Sequence, residues 1–151
     1  AVVSGMDGRL ALDLFAGVGL FTIPLARHFQ RVVAVESNAA AARDLEANIA
    51  GAAVAAQTAN SPVEIILNDW QETPDLIVLD PPRAGMPADA VQHINRLAPP
   101  RGLYVSCDPA TLARDLQAFL AGGFRIEEIH LFDMFPQTFH IETFVKLVRS
   151  A

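Results

Sequence analysis

The sequence predicts an α/β fold: a mostly parallel sheet of seven strands with an antiparallel last strand and helices on both faces. Three observations predict it. Short apolar runs alternate with stretches of helical periodicity over residues 9–120, the pattern of repeated βα units. Two apolar runs then follow without a helix between them, at 125–132 and 143–148, which reads as a closing strand pair. A glycine-bearing turn, Gly17-Val18-Gly19, joins the first strand to a helix, at the sheet edge where such folds bind ligands. A length of 151 residues suits one domain with its own core, here spanning 1–151.

The elements follow in order. Residues 9–15 are short and apolar, the first strand. Residues 20–29 have helical periodicity. Residues 31–35 are the second strand, and 38–49 an alanine-rich helix. A weak third strand over 53–58 precedes a short helix over 62–67. The fourth strand, 76–79, is bounded by Asp75 and by Asp80-Pro81-Pro82, and a helix over 88–97 is ended by Pro99-Pro100. The fifth strand is 103–106. Asp108 is a good N-cap and Pro109 a natural first helical residue, so a helix runs over 109–120 until Gly122-Gly123 stops it.

Composition excludes several classes. No apolar run reaches the ~18 residues needed to cross a membrane, and no charged-then-apolar leader opens the chain, so a cytoplasmic location is expected. One cysteine excludes an intrachain disulfide and any four-cysteine metal or iron–sulfur site within this chain. His28, His93, His130 and His140 lie far apart without ligand spacing, so no metal is expected. A net charge of −6 argues against this domain alone gripping a polyanion, because that affinity is mostly phosphate neutralisation by Lys and Arg. The chain opens without Met directly before a strand. It is expected to be the C-terminal part of a longer protein, with any basic module upstream.

Chemistry-bearing residues gather at strand ends. Phe15, Glu36, Asp80 and Cys107 fall at or just past the carboxyl ends of parallel strands, and Glu142 falls at the start of an antiparallel one, so all five should share one sheet edge. Gly17 and Gly19 let the backbone approach a ligand, and Glu36, about twenty residues on, is placed to accept hydrogen bonds from ribose hydroxyls. A dinucleotide site wants a third glycine where this chain has Thr22, and Asp13 adds negative charge. An anionic pyrophosphate is thus disfavoured, but a cationic sulfonium is not. The bland reading is a glycine turn that binds nothing. Asn60 either meets an adenine edge or serves local backbone bonding. Pro81 and Pro82 stiffen the loop that carries Asp80 and Arg83. Cys107 sits close to a helix N-terminus, which favours thiolate, against the neighbouring Asp108 carboxylate. Its bland reading is a small buried apolar residue, and that of Glu142 a surface carboxylate. A thiol and a carboxylate together can attack a ring carbon and later remove a proton.

Four segments, taken together, resemble the RNA uracil carbon-5 methyltransferases, which make 5-methyluridine in tRNA and rRNA. They are Asp13-Leu14-Phe15-Ala16-Gly17-Val18-Gly19, Asp80-Pro81-Pro82-Arg83-Ala84-Gly85, the run from Val105-Ser106-Cys107-Asp108-Pro109 to Arg114-Asp115, and Phe132-Asp133-Met134-Phe135-Pro136 through His140-Ile141-Glu142. The resemblance implies a Rossmann-like S-adenosylmethionine-dependent fold, with Cys107 as nucleophile and Glu142 as base. It puts Phe15, Gly17, Gly19, Leu20, Glu36, Asn60 and Asp80 at the cofactor, S-adenosylmethionine, and Arg83 at the substrate. The implied partner is RNA. Leu20 departs from the family, which often has Asn there. An upstream RNA-binding region, often a small β-barrel, a four-cysteine iron–sulfur site in some members, and a glutamine ahead of the glycine loop have no counterpart in this chain. Amino-group methyltransferases carry an aromatic residue where Arg83 stands. Cytosine carbon-5 enzymes use a second cysteine in the Pro-rich loop, which Asp80-Pro81-Pro82 lacks, so uracil is favoured over cytosine. An S-adenosylmethionine-binding domain without chemistry and a nicotinamide-dependent oxidoreductase are the readings from other classes.

Overall fold

The computed structural model describes residues 5–133 and 141–149. Twelve elements alternate along them: β1 (Gly8–Leu14), α1 (Thr22–Leu25), β2 (Phe29–Val35), α2 (Ala39–Gly51), β3 (Gln57–Ala59), α3 (Val63–Asp69), β4 (Leu76–Leu79), α4 (Ala88–Leu97), β5 (Arg101–Ser106), α5 (Pro109–Ala121), β6 (Phe124–Phe132) and β7 (Glu142–Arg149). Residues 134–140, which include His140 and most of the last motif, lie outside the described residues.

One seven-stranded sheet carries the order β3-β2-β1-β4-β5-β7-β6. The ladders from β3 through β5 are parallel, and β7 runs antiparallel to both its neighbours. The first strand therefore sits between the second and the fourth, and the winding changes direction beside it. The carboxyl ends of β1 and β4 flank this switch point, where open α/β sheets form their ligand crevice.

The central strands are apolar on both faces because helices cover both. On one face Leu10, Leu12, Leu14, Ile77, Leu79 and Tyr104 pack against Val63 and Leu67 of α3, Ile94 of α4, and Leu112, Leu116 and Phe119 of α5. On the other, Ala11, Val32, Val78, Leu103 and Val105 pack with Phe21, Leu25 and Phe29, while Ala34 meets Leu45 and Ile49 of α2. Asn38 and Asp108 cap α2 and α5, each side chain accepting from two backbone N–H groups of the first turn.

Two predicted elements are shorter than expected. The helix over 20–29 is reduced to Thr22–Leu25. Pro24 has no N–H to give to a preceding turn, and Arg27 and His28 tighten into bonds three residues back, to Pro24 and Leu25, which frees Phe29 to enter the sheet buried. The third strand keeps only Gln57–Ala59, because α2 runs on to Gly51 and Ala53 then turns through a positive φ of 52°. Chain becomes ladder only where it meets Val33–Val35 of β2.

Phe119 is fully buried and stands edge-on to both Tyr104 and Phe124. Phe119→Ala is expected to cost about 3–5 kcal/mol, read as a lower urea midpoint at unchanged slope. A loss below about 1 kcal/mol would contradict this packing.

Candidate active site

The crevice begins where β1 ends. Phe15 takes a positive φ of 65°, a region that non-glycine residues seldom occupy and that concentrates at functional sites. This turns the chain so that Ala16 donates its N–H to the Val35 carbonyl at 3.0 Å. Gly19, at φ 99°, lies so close to α2 that a Cβ there would meet Leu45 Cδ1 at 2.8 Å, so the turn can hug the helix only with glycine.

Glu36 ties this loop to the end of β2. Its Oε2 accepts from the Gly17 N–H at 2.9 Å and its Oε1 from the Asn38 N–H at 2.6 Å. A carboxylate offers about four lone-pair sites, so capacity remains for an incoming hydroxyl. Asn60 spends its amide hydrogens on the Glu36 and Ser37 carbonyls, at 2.8 and 3.1 Å. These carbonyls lie 24 and 23 residues back in sequence, so in place of the local bonding expected of an asparagine in a turn, Asn60 braces the Glu36 turn from the end of β3.

Asp13 lies beneath the loop, wholly buried. Its Oδ2 accepts from the Thr22 hydroxyl at 2.5 Å, and among the described residues its Oδ1 has no partner. Burial pushes this carboxyl up to about 7 from its ordinary 3.8; the charges of Asp80 and Glu36 push the same way, and the Thr22 hydroxyl opposes them. The pairing accounts for Thr22 at the position of a third glycine: the site uses a buried hydroxyl donor there. Sequence reasoning noted both residues but not that they meet.

The other half of the site comes from the β5–β7 ladder. Tyr104 pairs with Val145, Val105 with Phe144 and Ser106 with Thr143, so the next step along brings Cys107 beside Glu142. The Ser106 hydroxyl accepts from the Asp108 N–H at 3.1 Å and so fixes the turn that presents Cys107. Both side chains are half-buried. With Asp80, Leu20, Phe21, Val105 and Phe144 they line a cleft of about 290 Å³. Asp80 follows β4, which lies between β1 and β5, and therefore stands between the glycine loop and the thiol. Burial, and then the Glu142 charge, push its carboxyl up to about 6. Leu20 is an exposed lip of the cleft. Arg83 is exposed near the Asp108 turn, where its charge helps hold the Asp108 carboxyl below the usual range, after the Thr111 N–H that does most.

Phe21, Val105 and Phe144 form the apolar wall and were not foreseen. A signal for two of them was present: strand side chains alternate, so Val105 shares a face with Cys107, and Phe144 with Glu142. Phe21 meets Phe144 edge-on at 6.4 Å, a contact no local pattern reveals.

A thiol and two carboxylates, Cys107, Glu142 and Asp80, thus line a partly apolar cleft, and the glycine turn with Asp13 and Glu36 stands beyond Asp80. The family model described as tRNA (Uracil-5-)-methyltransferase matches residues 58–150, and the TRM5/TYW2 methyltransferase domain matches residues 2–97. An uncharacterized RNA methyltransferase of Thermotoga maritima is 40% identical over 149 residues, covering 94% of this chain and 33% of that protein. A 23S rRNA (uracil(1939)-C(5))-methyltransferase of Enterobacter is 44% identical, covering 92% and 33%. The chain thus spans about a third of the length of these relatives. Among solved structures, Pyrococcus abyssi tRNA (uracil-54, C5)-methyltransferase in complex with S-adenosyl-L-homocysteine superposes with a TM-score of 0.84 at 37% identity, over 94% of this chain and 35% of that one. The N-methyltransferase NodS of Bradyrhizobium japonicum shares the fold at a TM-score of 0.80 and 14% identity, covering 99% of this chain and 90% of that one.

The raised Asp13 carboxyl makes a stability prediction. A group whose folded value lies above its unfolded one stabilises the fold in its protonated form. The Asp13 contribution is therefore full below pH ~4 and lost as pH rises toward ~7. Asp13→Asn, neutral throughout, is expected to gain stability relative to the parent between those values, measured by urea unfolding at a series of pH values. A difference that does not change with pH would contradict it.

Proposed function

The chain belongs to the tRNA (uracil-5-)-methyltransferase family, and on that footing we propose that it methylates carbon 5 of a uridine in tRNA or rRNA, with S-adenosylmethionine as methyl donor. The observation that carries this reading is the β5–β7 ladder, which brings Cys107 and Glu142 to adjacent places on a cleft they share with Asp80.

The residues present fit the donor. An unpartnered, buried Asp13 oxygen, Glu36 with spare lone pairs, and Asp80 together suit a ligand that carries a positive sulfonium and an ammonium group. A pyrophosphate would face three carboxyls instead. In this reading Phe15, Gly17, Gly19, Leu20, Glu36, Asn60 and Asp80 hold the cofactor. When bound, S-adenosylmethionine supplies the electrophilic methyl group that carbon 5 takes up.

The rest of the chemistry belongs to the chain's own side chains. Carbon 5 of uracil is a poor nucleophile. The Cys107 thiolate adds through Sγ to carbon 6, forming an S–C bond and leaving the ring as an enolate whose electron density sits on carbon 5. After methylation the Glu142 carboxylate removes the proton from carbon 5. The returning electron pair restores the 5,6 double bond and expels Sγ. The apolar wall of Phe21, Val105 and Phe144 excludes water from the enolate. The target base reaches this cleft only when unstacked from its RNA, and Arg83 at the rim contacts base or phosphate.

Methyl-labelled S-adenosylmethionine and a uridine-containing RNA, followed by nucleoside analysis, test this directly. The protein is expected to produce 5-methyluridine and Cys107→Ala none. Loss of a positioned base costs ~10²–10⁴-fold, so Glu142→Gln is expected to turn over slower by that factor while a methylated protein–RNA adduct accumulates. Methylation at another atom, or full activity in Cys107→Ala, would overturn the proposal.

A further inference from the structure

Two acids are almost wholly buried among the described residues, Asp13 and Asp115, and the chemistry above makes no use of Asp115. It lies two turns into α5 and is not among the residues that line the cleft. Its hydrogen bonds join three separate parts of the chain. Oδ2 accepts from the Tyr104 hydroxyl at 2.6 Å and from the Met86 N–H at 2.7 Å. Oδ1 accepts from Arg114 Nε at 2.9 Å and Nη2 at 2.7 Å, a two-point fork. The same Nη2 also donates to the Ala84 carbonyl at 3.0 Å.

These bonds converge on the loop that follows β4. Gly85 passes through the clamp at φ 78°, and a Cβ there would meet Arg114 Nη2 and Asp115 Oδ2 at 2.4 and 2.6 Å. The loop begins with Asp80, which lines the cleft. Tyr104 belongs to β5, three residues before Cys107, and α5 starts two residues after it. One carboxylate therefore fastens together the strand and helix that flank the thiol and the loop that carries Asp80 and Arg83. Behind the clamp, between α4 and α5, lies a cavity of about 520 Å³ lined in part by Met86, Arg114 and Asp115.

We infer that Asp115, with Arg114 and Tyr104, is a positioning residue that sets the distance between the Asp80–Arg83 loop and the Cys107 thiol. The inference rests on the methyltransferase reading above. It assigns to Asp115 chiefly the chemical step: of the residues proposed to hold the donor only Asp80 rides on the clamped loop, whereas Glu36 and Asn60 are fastened by a separate set of bonds. A displacement of the order of 1 Å in a reacting constellation costs about 10²-fold in rate.

The test compares Asp115→Asn, Arg114→Lys and Gly85→Ala with the parent protein. Arg114 is largely exposed at its side chain, so Arg114→Lys keeps the charge and the fold but loses the planar fork; it supplies the reading if Asp115→Asn fails to fold. The expected result is kcat for 5-methyluridine formation lower by about 10²-fold in Asp115→Asn and about 10-fold in the other two, while the calorimetric Kd for S-adenosylmethionine and the KM for RNA stay within about 3-fold. Variants that fold and keep the parent kcat, or whose Kd rises by as large a factor as kcat falls, overturn the inference. A parent protein that makes no 5-methyluridine overturns the methyltransferase reading instead, so the two failures are distinguishable.

Discussion

The site depends on the register between β5 and β7. Val145 and Leu147 point into the face covered by α3, α4 and α5 and are fully or almost fully buried there, which leaves Glu142 and Phe144 on the opposite face by alternation. A slip of one residue would exchange the two sets. Burying each aliphatic side chain is worth roughly 1.5–3 kcal/mol, so a slipped ladder loses several kcal/mol before any other contact is counted. Ordinary hydrophobic burial at the far end of the strand thus fixes which carboxylate stands beside Cys107.

The second constraint is charge. Asp13, Glu36, Asp80 and Glu142 gather around one crevice, and two of them are held toward their protonated forms, Asp13 by burial and the charges of Asp80 and Glu36, Asp80 by burial and the charge of Glu142. Such a group of acids destabilises an empty site at neutral pH and welcomes a cation. The fold tolerates the strain because each acid except Asp80 also does a structural task or faces a partner. Asp13 receives Thr22, Glu36 receives Gly17 and Asn38, and Glu142 opens β7. The same carboxyls then favour a sulfonium donor over a phosphate-bearing cofactor.

Much of this was legible in the sequence, for local reasons. The fourth strand and the helix over 88–97 were placed to the residue because Asp80-Pro81-Pro82 and Pro99-Pro100 punctuate them. The meeting of Cys107 and Glu142 followed from strand direction alone. What was not legible was set by tertiary contact. The first helix shrank because the sheet claims Phe29, and the third strand shortened because pairing with β2 decides where it starts. Phe21 joined the cleft through an aromatic neighbour far along the chain. Asp115, read in sequence only as part of a motif, took on meaning when the loop after β4 folded back onto it.

The proposed chemistry requires that the Cys107 thiol bond to a uracil ring and that a base beside it remove the carbon-5 proton. RNA bearing 5-fluorouridine tests it most directly, because fluorine cannot leave as the proton does. With S-adenosylmethionine present, intact-mass measurement is expected to find a lasting protein–RNA adduct carrying the transferred methyl group, and none with Cys107→Ala. No adduct with the parent protein, or an undiminished one after Cys107→Ala, would contradict the account.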